Sequence, residues 1–393
     1  MKKLVETIKN IWVIEDLRNR ILMTLGILAI YRLGSFVVIP GVDPAQLSAL
    51  QDQTSDGLLG LLNMFTGGAF SQASIFALGI MPYISASIVI QLLGMAIPYF
   101  QKLQKEGESG RRKINNITRY LTILITGGQA PGYIANLKAT LPDSAFLLAP
   151  GAFWASSIII LVTGTMFVMW LGEKITDRGI GNGISLIIMI GIIALLPQSL
   201  MQEFVAALGS TGGGLVIFMV EMLALLIVIM ISILLVQGTR RIPVQYAKRV
   251  IGNKQYGGVR QFIPLKVNAS GVMPIIFAQA IMFVPITLVG FSDKLEGIAA
   301  ILSDFGGFWY NFIFFIMIVL FTYFYTAITV NPNQMADDMK KNGGFIPGIK
   351  PGRATSEYLD SVMSKITLPG SLFLGFVAIL PAFAMAGGVN IQF

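Results

Sequence analysis

Apolar residues run through this chain in blocks of about 20, the length an α-helix needs to cross the hydrocarbon core of a bilayer. Polar or charged stretches separate the blocks. Nine blocks have that length: Ile21–Ile39, Ile75–Ile97, Ile117–Leu137, Phe153–Leu171, Ile184–Met201, Gly214–Val236, Val272–Phe291, Phe308–Val330 and Leu368–Gly387. The pattern predicts nine spans in an all-α polytopic membrane protein. One further stretch fits neither span nor loop. In "GLLGLLNMFTGGAFSQAS", Gly57–Ser74, the core Leu58–Phe65 is too short to cross and too apolar to stand in water. Gly67-Gly68 breaks it just before the second block and offers a hinge.

Composition agrees and narrows the chemistry. Apolar residues fill 54% of the 393 positions and charged ones 12%, about half the charge of a soluble domain. Mean hydropathy is +0.73. There is no Cys and no His, which excludes disulfides, thiolate metal sites and imidazole acid–base catalysis. No Gly-rich Lys-Ser/Thr phosphate loop occurs, so the sequence holds no recognisable ATPase. The amphipathic start, residues 1–20, is followed by no small-residue cleavage site and reads as an anchor rather than a signal peptide.

Charge sets the orientation. With the N-terminus in the cytoplasm, segments 1–20, 102–119, 174–178, 240–266 and 340–365 lie inside and hold 25 of the 28 Lys and Arg, as the positive-inside rule requires. The external loops carry acids such as Asp43, Asp52, Asp56, Asp293, Glu296 and Asp304. Inside the blocks ionisable residues are nearly absent; Arg32 and Glu221 both lie toward the external side. Coupled transporters use mid-membrane charges to carry ions or protons, so a small-solute pump is disfavoured. An insertase or scaffold without a continuous pore stays open as a rival.

Two inside loops exceed what a helix connection needs. The first, 237–267, has seven basic residues, no acid, and runs "RIPVQY" and "VRQFIPL" that predict a β-hairpin-like excursion. The second, 331–365, reads as short helix, Gly/Pro-rich turn and helix. Topology alone accounts for the sign of the charge. It does not account for Tyr246, Tyr256 and Phe262 among the bases, a surface that suits an acidic protein or ribosomal RNA.

Polar residues inside the blocks are few. Ser85, Ser87 and Gln91 in the second, Gln129 in the third and Asn268 before the seventh are each explained by interhelical hydrogen bonds, worth about 0.6–2 kcal/mol. As a set they form a weakly polar seam. Ile80 with Ile84, and Ile184 with Ile188, recur at i and i+4 and share a helix face. By pattern alone that face reads as lipid-facing.

The strings "SIFALGIMPYISASIVIQLL", "KEGESGRRKI", "TGTMFVMWLGEKITDRGIGNGIS", "QYAKR", "PLKVNASGVMP" and "NGGFIPGIKPGRAT" closely resemble the bacterial SecY family, the central subunit of the Sec protein-translocation channel. The resemblance runs from the first block to the ninth. It implies a ten-helix fold of two inverted five-helix halves around an hourglass pore, here 21–201 and 214–393. The family's tenth span would follow Phe393, where this sequence stops after nine.

Roles follow from the resemblance. Ile80, Ile84, Ile184, Ile188 and Ile276 match the pore ring. Residues about 57–74, with Leu58, Leu61, Leu62, Met64, Phe65, Gly67 and Gly68, match a re-entrant plug. Ser85, Ser87, Gln91, Gln129 and Asn268 fall along a lateral gate. Arg240, Arg241, Tyr246, Lys248, Arg249, Lys350 and Arg353 match partner-docking positions. Lys350 stands where the family often has Arg, keeping the charge without the bidentate fork. The resemblance implies no catalysis and no cofactor. It implies a multi-pass protein of the bacterial cytoplasmic membrane that passes unfolded polypeptide outward and releases apolar segments into lipid. Its expected partners are the SecE and SecG subunits, the SecA motor, the ribosome, and the signal sequences of translocating chains.

Overall fold

The computed structural model describes residues 12–47, 66–209, 214–246, 249–251, 254–256, 260–289 and 306–386, with Glu6, Leu50 and Asn63. Among them, five helices are long and apolar enough to cross a membrane, or six if one bent pair counts as a span. The described residues fall into two compact units, divided between Gln202 and Glu203.

The first unit begins with α1, Glu15–Gly34. The first apolar block was expected to stay helical to Ile39. Instead the helix ends at Gly34, whose missing side chain admits the Phe76 ring. The chain then turns back, with Val38 bridging Ser74 and Val42 bridging Phe146.

The second block departs further from expectation. Its helix, α2, is Met81–Ala96, and residues 75–80 are turns. Gly79 takes φ +52°, a left-handed conformation that L side chains resist. Pro82 suits the first turn of a helix and no later one. The irregular backbone before α2 is buried yet bonded: Ile39 N donates to Ala73 O at 2.8 Å, and Ile75 N to Val37 O at 2.9 Å. Non-helical chain survives at membrane depth only when protein supplies such partners. At the other end Pro98 opens a short helix α3, Pro98–Lys105, set at 102° to α2.

Helix α4, Glu108–Thr140, carries a buried row of Thr118, Thr122 and Thr126. Each hydroxyl donates to the carbonyl four residues back, at 2.7–2.9 Å, so the row needs no outside partner. Helix α5, Pro150–Arg178, packs on α4 and on α1. The fifth block divides into α6, Gly183–Ile193, and α7, Leu196–Gly209.

Close backbone approach fixes this unit. A Cβ on Gly164 of α5 would stand 2.1 Å from the Ile75 carbonyl oxygen, and one on Gly183 would stand 2.0 Å from that of Gly172. Backbone cannot yield as a flexible side chain can. Gly164→Val is therefore expected to destabilise the protein by about 1–3 kcal/mol or more, read as a lower unfolding temperature in detergent. Gly26→Ala, which meets nothing within 4 Å, serves as the neutral control; equal behaviour of the two would refute this packing.

The second unit holds α8, Gly214–Gln237, which buries only Gly214. It also holds α9, Met273–Val289, and α10, Phe308–Thr329. These last two pack with α12, Arg353–Ala386, around Ala278, Phe314, Ile318, Leu374 and Ile379.

Between α8 and α9 lie β1, Thr239–Tyr246, β2, Arg249–Ile251, β3, Lys254–Tyr256, and β4, Arg260–Lys266. The expected hairpin is present: β1 pairs antiparallel with β4, with Ile242 opposite Ile263, and β2 pairs with β3. The other long loop forms α11, Pro332–Lys341, then β5, Gly344–Phe345, then the start of α12. The order β4-β1-β5 makes the two loops one sheet, through Gln245 opposite Phe345 and Tyr246 opposite Gly344. Ile242, Val244, Leu265, Met339, Ile346, Leu359 and Met363 give it a core of its own.

Candidate functional site

Four of the five ring isoleucines gather in one place. Ile80, immediately before α2, is 4% exposed and belongs to a cluster with Ile27, Tyr31, Phe76, Leu171 and Ile187. Ile84, Ile184 and Ile188 pack against the same cluster and are half-buried. The lipid-facing reading is corrected for Ile80, which protein covers; Ile84, Ile184 and Ile188 are covered on one side only. Asn182 caps α6 by accepting from Ser185 N at 3.2 Å, and Thr176 Oγ1 accepts from Gly183 N at 2.8 Å. These bonds fix where α6 starts and so where Ile184 and Ile188 stand. Ile276 lies in the first turn of α9, half-buried, in the second unit.

Of the plug positions, Leu58, Leu61, Leu62, Met64 and Phe65 lie outside the described residues. Gly67 and Gly68 are described, with φ of +65° and +86°. They sit in a buried turn whose carbonyls are taken by side chains from two helices. Tyr31 OH of α1 donates to Thr66 O at 3.4 Å, its neighbour Arg32 donates to Gly67 O, and Tyr133 OH of α4 donates to Phe70 O at 2.9 Å.

Gln91 Nε2 donates to Ser87 Oγ at 3.4 Å along α2, and Ser85 is half-buried. Gln129 stands exposed on α4. Asn268, in the second unit, accepts from Ser270 Oγ at 3.2 Å.

Of the docking residues, Arg240 and Arg241 are exposed on β1, next to the buried Ile242. Tyr246 is half-buried against the sheet's core and closes on Gly344, so it acts in packing as well. Lys350 is exposed, and its carbonyl accepts from Thr355 Oγ1 at 2.9 Å. Arg353 opens α12 and pairs with Glu357 at 2.9 Å. Both side chains are exposed, so the pair contributes little to stability. Arg249 lies in β2, and Lys248 falls outside the described residues.

Two contacts escape sequence reasoning. Arg119 of α4 grips Glu173 of α5 with two bonds, Nε to Oε1 at 3.1 Å and Nη2 to Oε2 at 2.7 Å. The partners are 54 residues apart, and no local pattern joins them. Arg32 was visible as a charge, but its partner is a backbone carbonyl, which no side-chain pattern reveals. Among the described residues no group of acids could hold a metal ion.

The SecY family model matches residues 74–393. Protein translocase subunit SecY of Streptomyces coelicolor is 44% identical over 96% of this chain and 89% of its own length. A solved SecY, described as having a plug domain that stabilises the closed state and maintains a membrane seal, aligns with a TM-score of 0.60. It is 20% identical, over 95% of this chain and 88% of that one. Sec61 in the canine ribosome–channel complex aligns with a TM-score of 0.54 at 18% identity, over 95% and 91%.

Proposed function

The chain belongs to the SecY family, and from that premise we propose how its residues serve translocation. It is a protein-translocation channel subunit of a membrane, not an enzyme. Unfolded secretory chains cross through a ring of Ile80, Ile84, Ile184, Ile188 and Ile276, within a ten-helix inverted-repeat fold to which this sequence contributes nine spans. Aliphatic tips yield around any passing side chain and offer it neither charge nor hydrogen bond. When empty, such a ring dewets and resists ions. The observation that carries this reading is the half-burial of Ile84, Ile184 and Ile188 on one apolar cluster, anchored on one side and uncovered on the other.

The stretch 57–74 plugs the external side, in keeping with the plug described for the SecY that aligns here. Ser85, Ser87, Gln91, Gln129 and Asn268 line a lateral gate, where mild polarity opens to lipid without stranding a charge. The N-terminus is cytoplasmic, in the bacterial inner membrane. The sheet formed by the two basic loops docks the SecA motor or the ribosome, as the ribosome complex of the aligned Sec61 supports. SecE and SecG cover part of the apolar surface that α8 leaves open.

A photo-crosslinker tests the path. Placed at Ile84 or Ile276, it is expected to capture a stalled secretory chain. Placed at Leu124, 72% exposed on α4, it is expected to capture none. Equal capture at all three positions would sink the ring.

A further inference from the structure

Arg32 is a cation in the last turn of an apolar helix, and it is in none of the ion pairs among the described residues. Charge within a span is costly and is retained where it has work to do. Here the guanidinium donates to the Gly67 carbonyl and lies 4.9 Å over the Phe36 ring. The C-terminal end of α1 favours a cation there. Beside the guanidinium, Gly67 also approaches α6: an added Cβ would come within 3.0 Å of both the Gly191 Cα and the Arg32 guanidinium. Tyr31 and Tyr133 take the carbonyls on either flank, Thr66 and Phe70. The turn is thus gripped from α1, α4 and α6 at once.

We propose that Arg32 is a positioning residue for channel closure, clamping the turn Thr66–Phe70 so that the downstream end of the plug stays fixed. The proposal rests on the plug reading. The glycine pair, expected from the sequence to be a hinge, is on this account the fixed end. The positive φ of Gly67 serves the close approach to α6, and swinging there would break three side-chain bonds together. Arginine suits the task because it holds its charge at every physiological pH and reaches a carbonyl with several donors. Removing it leaves the Gly67 carbonyl without that donor and weakens the hold of α1 on the turn, which then rests on Tyr31.

The test uses the full channel complex in planar bilayers, with Arg32→Leu, Arg32→Lys and a deletion of residues 58–64. A charge-assisted hydrogen bond is worth about a factor of ten or more in an equilibrium. Arg32→Leu is therefore expected to raise resting conductance about tenfold. Its unfolding temperature should change little, since the bond lost to the Gly67 carbonyl is offset by the removal of a part-buried cation. Arg32→Lys should restore most of the seal, and the deletion should leak. A sealed Leu variant beside a leaking deletion overturns the clamp and leaves the plug standing. Both sealed overturns the plug reading and the clamp with it. A leaking Leu variant that unfolds early, or a Lys variant as leaky as Leu, also overturns the clamp. If the Leu variant does not assemble, Tyr133→Phe carries the test at the same turn. It deletes one hydroxyl and is expected to leak, and a sealed channel counts against the clamp.

Discussion

Changing Ile80, Ile84, Ile184, Ile188 and Ile276 together to glycine is expected to turn the resting channel into an ion leak. An apolar constriction holds back ions because water leaves it, and widening restores both water and conduction. Each substitution removes four carbons, at Ile80, Ile84, Ile184 and Ile188 from side chains packed in the cluster around Leu171 and Ile187. The resting current should rise by about tenfold or more, larger than any single replacement gives. Leucine at the same five positions keeps bulk and apolarity and should keep the seal. Single-channel recording with the complex shown intact decides the matter; unchanged conductance in the glycine variant would rule out the ring.

Charge reversal on the docking sheet has the next largest effect. Arg240→Glu with Arg241→Glu replaces two exposed cations on β1 and leaves Ile242 and Val244 in the core. Binding to ribosomes should weaken by roughly tenfold or more. The salt dependence should become shallower by about two units, since each lost phosphate contact removes about one. Affinity measured across a salt series, with the circular dichroism of the variant unchanged, checks both. Wild-type affinity and slope would remove the sheet from the docking account.

The sequence made the hydrophobic lengths plain, because a bilayer imposes one length on every crossing helix. It marked the hairpin as well, since strand alternation around Gly252-Asn253 and Gly257-Gly258 is a local signal. Three further things escaped it for the reason that hid the Arg119–Glu173 pair: they depend on residues far apart in the chain. Residues 75–80 look as apolar as the helix after them, and the bond from Ile75 N to Val37 O, next to that from Ile39 N to Ala73 O, shows why the stretch need not be helical. The pairing of Tyr246 with Gly344 joins two loops that sequence treats as separate. Ile187, fully buried between Ile184 and Ile188, is the residue of that turn aimed at the cluster's centre. Periodicity marked its two neighbours and could not rank the three, because all sit in an unbroken apolar run.

Helix α12 belongs to both cores of its unit. Leu359 and Met363 pack under the docking sheet, and Leu374 and Ile379 pack against α9 and α10. Its 34 residues make a rod roughly 50 Å long, well beyond the about 30 Å of hydrocarbon in a bilayer. Nothing but the bond lost at Pro369 interrupts it between the two cores. The helix therefore works as a lever with one notch. A push at Arg353 is expected to reach the membrane helices through the same helix, with Pro369 as the place where it bends first.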